Sequence, residues 1–162
     1  MIVVGIDPGT ARTGYGLARE TDDGLACVAY GVIETPAGAP MAERLQTLYR
    51  ELRALLTLHG PASGAVEKLF FARNVTTAMT VGQARGVALL ALAEAGVATA
   101  EYTPLEVKQA VAGYGRADKQ QMQAMVRMLL GLPEVPRPDD AADALAVAIC
   151  HLHSAKMRSL ID

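Results

Sequence analysis

At 162 residues the chain has the length of one ordinary domain, and a net charge of -2 with a pI near 5.9 sets it apart from most nucleic-acid-binding domains, which carry a basic excess. Hydrophobic residues make up 51% and charged residues 20%, enough to fill a core and too apolar for extended disorder outside the last few residues. No apolar run approaches the roughly 20 residues that span a bilayer, and the start enters a strand pattern without a charged leader, so a soluble, cytoplasmic protein is expected.

In chain order, Met1 to Asp7 reads as a short apolar strand broken by Pro8-Gly9. A second strand, Gly14 to Arg19, and a third, Leu25 to Ile33, are separated by the turn Thr21-Asp22-Asp23-Gly24, which predicts an antiparallel meander. Leu45, Leu48, Tyr49, Leu52, Leu55 and Leu56 fall at helical spacing, and Gly60-Pro61 ends that helix. Ser63 to Phe70 reads as a strand, and Asn74 caps a long helix that reaches Ala95 before Gly96. Val97 to Tyr102 follows as a strand, and Thr103-Pro104-Leu105-Glu106 joins a capping box to proline at the first helical position. Gly113-Tyr114-Gly115 breaks that helix. Met122, Met125, Val126 and Leu129 mark the next, and a proline-rich loop leads to a last helix from about Asp139 to Lys156. The expected class is α/β: one domain over residues 1–162, a mixed sheet of three antiparallel strands followed by parallel ones, with helices on both faces.

Cys27 and Cys150 stand in apolar surroundings without paired ligand spacing, which reads as buried free thiols in a reducing compartment. Charge is unevenly spread. Residues 1–67 hold 5 Lys/Arg against 8 Asp/Glu, residues 68–127 hold 7 against 4, and residues 128–162 hold 3 against 5. A basic middle between acidic ends suits a phosphate-binding surface beside a carboxylate cluster, and scattered solvated charges give similar arithmetic.

Four carboxylates invite a chemical reading. Asp7 ends a strand within Gly5-Ile6-Asp7-Pro8-Gly9, where a ligand can approach the backbone; the same residues also make an Asx-type turn, and this motif alone does not separate the two. Glu67 places an acid within an otherwise apolar strand, which is costly unless it is paired or metal-bound. Asp140 and Asp143, three apart at the start of the last helix, share one face opposite Leu145, Ile149 and Leu152, whereas Asp139 only complements the helix dipole. Phosphodiester cleavage needs a water activated and a leaving oxygen stabilised across an anionic centre, which two divalent ions held by convergent carboxylates provide. Hard oxygen ligands without His or Cys point to Mg²⁺ or Mn²⁺. His59, His151 and His153 read as surface or helix-end residues.

Taken together, Gly5-Ile6-Asp7-Pro8-Gly9 with Thr13-Gly14-Tyr15-Gly16, Glu67 with Phe70 and Asn74, Gly82-Gln83-Ala84-Arg85-Gly86, Val107-Lys108-Gln109 and Asp140-Ala141-Ala142-Asp143-Ala144-Leu145-Ala146 resemble the RuvC family of Holliday-junction resolvases over nearly the whole chain. The resemblance implies a ribonuclease H-like fold and paired symmetric nicking of four-way DNA junctions during recombination and repair. It further implies that Asp7, Glu67, Asp140 and Asp143 bind two metal ions, that Lys108 and Lys119 contact the scissile backbone or assist the transition state, and that Phe70 stacks on a base. Arg73, Asn74 and Arg116 join the expected DNA-binding surface. A homodimer formed through the helix from Asn74 to Ala95, and the branch-migration proteins RuvA and RuvB as partners, are implied as well. Ala11 standing before Arg12 departs from the family pattern, so no DNA contact is carried to Arg12. Actin-like ATPases share Gly-Ile-Asp-x-Gly-Thr, but 162 residues supply neither their second phosphate loop nor their adenosine site.

Overall fold

The structure is a computed structural model that describes residues 1–68 and 74–161; Leu69 to Arg73, and with them the expected contacts of Phe70 and Arg73, lie outside the described residues. Five strands form one sheet in the order β3-β2-β1-β4-β5, made of β1 (Ile2–Asp7), β2 (Arg12–Thr21), β3 (Gly24–Glu34), β4 (Ser63–Glu67) and β5 (Ala98–Tyr102). β1, β2 and β3 pair antiparallel, whereas β4 and β5 run parallel to β1. The meander and the parallel addition agree with the expected mixed sheet. β2 and β3 run longer than their apolar stretches suggested, because hairpin pairing carries on through Glu20–Leu25 and Thr21–Gly24.

Helices cover both faces. α1 (Met41–His59) and α2 (Val75–Glu94) bury Leu48, Leu52, Ala84, Ala88 and Leu92 against Val4, Ile6, Leu17 and Val66. On the other face, α5 (Asp139–Ile161) lies between the sheet and the pair α3 (Pro104–Ala112) and α4 (Lys119–Leu129). Local chemistry sets the helix ends. Asn74 Oδ1 accepts from the N–H groups of Thr76 and Thr77, Thr103 and Glu106 form a reciprocal capping box, and left-handed Gly60 and Gly113 close α1 and α3. Asp118 caps α4 through a second capping box with Gln121, a start one turn earlier than the apolar spacing marks.

Three expectations need correction. Glu67 is the last residue of β4, not a mid-strand acid, because strand pairing ends at Glu67–Tyr102. α2 is, in fact, long and apolar enough to cross a membrane, over 20 residues; its alanines, threonines and glycines hide that in the sequence, and it lies against the sheet with Ala84, Ala88, Ala91 and Leu92 buried. His151 is buried at 6% exposure: Ser63 Oγ and the Tyr102 hydroxyl lie 2.8 Å from its Nε2 and Nδ1. Burial holds its pKa below the ordinary value, with Arg158 adding to the effect. His153 is half-buried, with Nδ1 3.0 Å from the Ala110 carbonyl. Cys150 is buried and Cys27 half-buried, both as free thiols.

The seat of α5 positions the site. A Cβ on Gly14 would lie 2.0 Å from the Asp140 carbonyl oxygen, and one on Gly5 would lie 2.2 Å from that of Ala144. The first turns of α5 therefore rest on the bare backbone of β1 and β2, with Ala141, Ala144 and Ala148 completing a close approach that larger side chains would block.

Candidate active site

Asp7 leaves the sheet at the end of β1, in register with Gly14, the residue beneath Asp140. Thr13 and Thr35 close the loop that follows: the Thr13 hydroxyl donates to the Gly9 carbonyl at 2.7 Å and accepts from its N–H at 3.2 Å, while Thr35 donates to the Thr10 carbonyl. The turn is thus held by hydroxyls. The Asp7 carboxyl instead meets the start of α5, where oxygens of Asp7, Asp140 and Asp143 lie within 4.8 Å of one another.

The electrostatics follow from that crowding. Burial, then the charges of Asp143, Glu67 and Asp140, push the Asp7 carboxyl up to about 7, with Lys119 acting against them. Partial desolvation of an otherwise exposed side chain, with Asp140 and Asp139 nearby, also raises Asp143 against the opposing pull of Lys119. A set of acids that resists ionisation in this way calls for a compensating cation, and an all-oxygen donor set suits a hard divalent ion.

Glu67 stands somewhat apart from this group of three. It is coupled to Asp7 and Asp143 by charge, since burial and then Asp143 raise its carboxyl and Lys108 lowers it. Strand register accounts for its place, because Ile6 pairs with Val66 and the next step brings Asp7 and Glu67 out together at the sheet end. A shallow hollow of about 180 Å³ joins Asp7 and Glu67 to Pro104, Lys68 and Arg85. Arg85 is tied to Glu101 on β5 by an ion pair. Sequence reasoning gave Arg85 no role; its signal is a charge midway along an apolar helix whose other charge, Glu94, stands at its end.

Of the expected cations, Lys119 begins α4, with Nζ 2.8 Å from Asp139 Oδ2, and Gln123 Nε2 donates to Asp139 Oδ1 at 3.0 Å. Asp139 thus ties α4 to the start of α5, beyond the dipole role read from sequence. Lys108 lies on α3 near Glu67, and Arg116 is exposed in the segment between α3 and α4. Asn74 serves as the cap of α2. Arg12 pairs with Glu34 across the hairpin at 3.5 Å.

A mixed five-stranded sheet with an acidic cluster where β1 meets the last helix is the architecture of the ribonuclease H-like class. The profile of one family in it, described as crossover junction endodeoxyribonuclease RuvC, matches residues 3–151. The proteins of that name from Roseiflexus sp. and Desulfitobacterium hafniense are 62% and 60% identical over 159 and 157 residues, covering 98% and 97% of this chain and 95% of each relative. The solved structure of Thermus thermophilus RuvC in complex with a Holliday junction substrate superposes with a TM-score of 0.92 at 40% identity, over 97% of this chain and 96% of that one. The chain belongs to the RuvC family of crossover junction endodeoxyribonucleases. Beyond that family, the yeast mitochondrial resolvase Ydc2 shares the fold at 15% identity and a TM-score of 0.66, over 97% of this chain and 82% of that one.

Proposed function

We propose that the chain, working as one nuclease domain, resolves Holliday junctions by paired, symmetric hydrolysis of phosphodiesters that leaves 5′-phosphate and 3′-hydroxyl ends. The observation that carries this reading is the convergence of Asp7, Asp140 and Asp143 within 4.8 Å, in a member of a junction-endonuclease family. These three and Glu67 hold two Mg²⁺ or Mn²⁺ ions. When bound, the ions neutralise the carboxylates, lower the pKa of the attacking water and stabilise the leaving oxygen.

The chain's own part is positioning. The four carboxylates would hold the ions from two sides, Asp7 and Glu67 from the sheet and Asp140 and Asp143 from α5, and so fix where the reacting phosphate lies. Lys119 binds the scissile backbone and assists at the transition state, exchanging Asp139 for a phosphate, and Lys108 takes a neighbouring phosphate. Phe70 stacks on a base at the opened crossover, while Arg73, Asn74 and Arg116 extend the contact surface. With a low net charge, affinity rests on these local cations and falls steeply with salt. A homodimer sets two such sites on strands of like polarity. The exposed stripe of Val75, Met79 and Leu90 on α2 supports that helix as its interface. Family membership supports RuvA and RuvB as partners and the cytoplasm as the place of action.

The test is incubation with a mobile synthetic four-way junction in Mg²⁺, Mn²⁺ or chelator. Symmetric nicks that disappear in chelator and fall by about 10²- to 10³-fold in Asp7→Asn, with junction binding retained, are expected. Cutting that survives Asp7→Asn would sink the carboxylate assignment.

A further inference from the structure

Beside the carboxylates, α3, α4 and α5 enclose a second hollow of about 310 Å³, at the small end of ligand pockets, which run from roughly 300 to 1,000 Å³. Buried Val107, Val126 and Ala146 make part of its lining apolar, Met122 is a partly exposed neighbour among them, and Asp118 adds an acid at the start of α4. Glu67 and Asp143 also border it, so it is continuous with the acidic cluster, and Lys108 and Lys119 bring positive charge to the same walls. Gln123 lines it as well, and its amide has a defined orientation: a carboxylate only accepts, so the bond to Asp139 must come from the NH₂ group, which leaves Oε1 free to accept.

We propose that this hollow receives a nucleobase of the scissile strand next to the cleaved phosphodiester, and that Met122 and Gln123 set sequence preference at the cut. The inference rests on the nuclease reading above. A strand that lays its phosphates against Lys108 and Lys119 to reach Asp143 carries its adjoining base past this opening. Apolar walls suit the faces of a base ring, and the flexible thioether of Met122 adapts to purine or pyrimidine. Gln123 Oε1 accepts an N–H from the base edge. At a crossover the base has already lost stacking partners, so turning it into the protein costs least there.

The experiment crosses base deletion with side-chain deletion. Junctions carrying a single abasic nucleotide at each position flanking the cut are cleaved by the wild-type protein and by Met122→Ala/Gln123→Ala. In the wild type, one position is expected to slow cleavage on the order of tenfold, the worth of one good polar or packing contact. In the variant, whose cleavage of the intact junction is slowed to match, deleting the same base is expected to add less than about twofold. Independent, multiplying losses would overturn the subsite, as would equal abasic effects at every position. Gln123→Ala alone, on a partly exposed helix position, carries the same comparison if the double variant melts below the wild type. Failure of the wild type to cut any intact junction would instead overturn the nuclease reading itself.

Discussion

α5 and α2 are both long helices rich in small apolar residues, yet they are placed differently. From Ala144 to Leu152 every residue of α5 is buried, with sheet on one side and α3 and α4 on the other. α2 buries one stripe and leaves Val75, Met79 and Leu90 at 72%, 63% and 52% exposure. Glycine makes the contrast sharper. Gly5 and Gly14 touch the α5 backbone, whereas a Cβ on Gly86 in α2 meets nothing within 4 Å. Similar composition thus has two outcomes: α5 is packed on both sides, with Asp140 and Asp143 brought beside Asp7, and α2 leaves an apolar stripe exposed.

Gly14→Ala gives the largest expected effect. Its methyl group would sit 2.0 Å from the Asp140 carbonyl oxygen, so the start of α5 must move. Overpacking of this kind costs about 1 to 3 kcal/mol, which at about 2 to 4 °C per kcal/mol is readily seen as a lower Tm. Junction cleavage is expected to fall by about 10²-fold, the scale of a misplacement near 1 Å. Wild-type cleavage by Gly14→Ala would show that the seat of α5 does not govern the cluster.

The acidic end of α5 can be probed next by pH. The Asp7 carboxyl titrates at about 7 in the fold against 3.8 when unperturbed, so between those values the folded chain keeps a proton that the unfolded chain has lost. Stability contributed by this group is therefore present at the acid end of that window and is lost as pH rises through it. Glu67 and Asp143 shift in the same direction. In chelator, Tm is expected to fall as pH is raised from near 4 to near 7, less so in Asp7→Asn, and Mg²⁺ or Mn²⁺ should restore it at the upper end. Equal pH slopes for wild type and variant would remove Asp7 from the linkage.

On α2 the effects should be on association, leaving the fold intact. Leu90→Glu is expected to give a monomer by sedimentation, with the metal-induced rise in Tm preserved and paired nicks replaced by single ones. A dimer that persists would move the interface off this helix. Gly86→Ala, the mildest change to the fold, should alter folding stability of the single chain by no more than about 1 kcal/mol, since helix propensity favours Ala and no atom of the same chain lies within 4 Å of the added methyl.

Signals within a few residues of one another are legible in the sequence. The caps at Asn74 and Thr103, the stop at Gly60 and the pairing of the first three strands are read from turn chemistry and alternation, and the spacing of Asp140 and Asp143 marks one helical face. What joins distant segments was not. Alanine carries too little asymmetry to show that α5 is covered on every side, so His151 reads as a helix-end residue, although Ser63 and Tyr102, 88 and 49 positions away, enclose it. Asp139 likewise reads as a dipole partner until α4 brings Lys119 and Gln123 to it. Glu67 carries the right residue type, but where its strand ends depends on the partner strand Ala98–Tyr102.

The contact of α5 with bare strand backbone also bears on redesign. The gap between Asp7 and Asp140 is set by two main chains in van der Waals contact, a dimension that no core side chain spans. Repacking the interior therefore has little leverage on the bite of the cluster. Under the two-ion proposal, a change in metal preference has to come from exchanging the donor groups themselves.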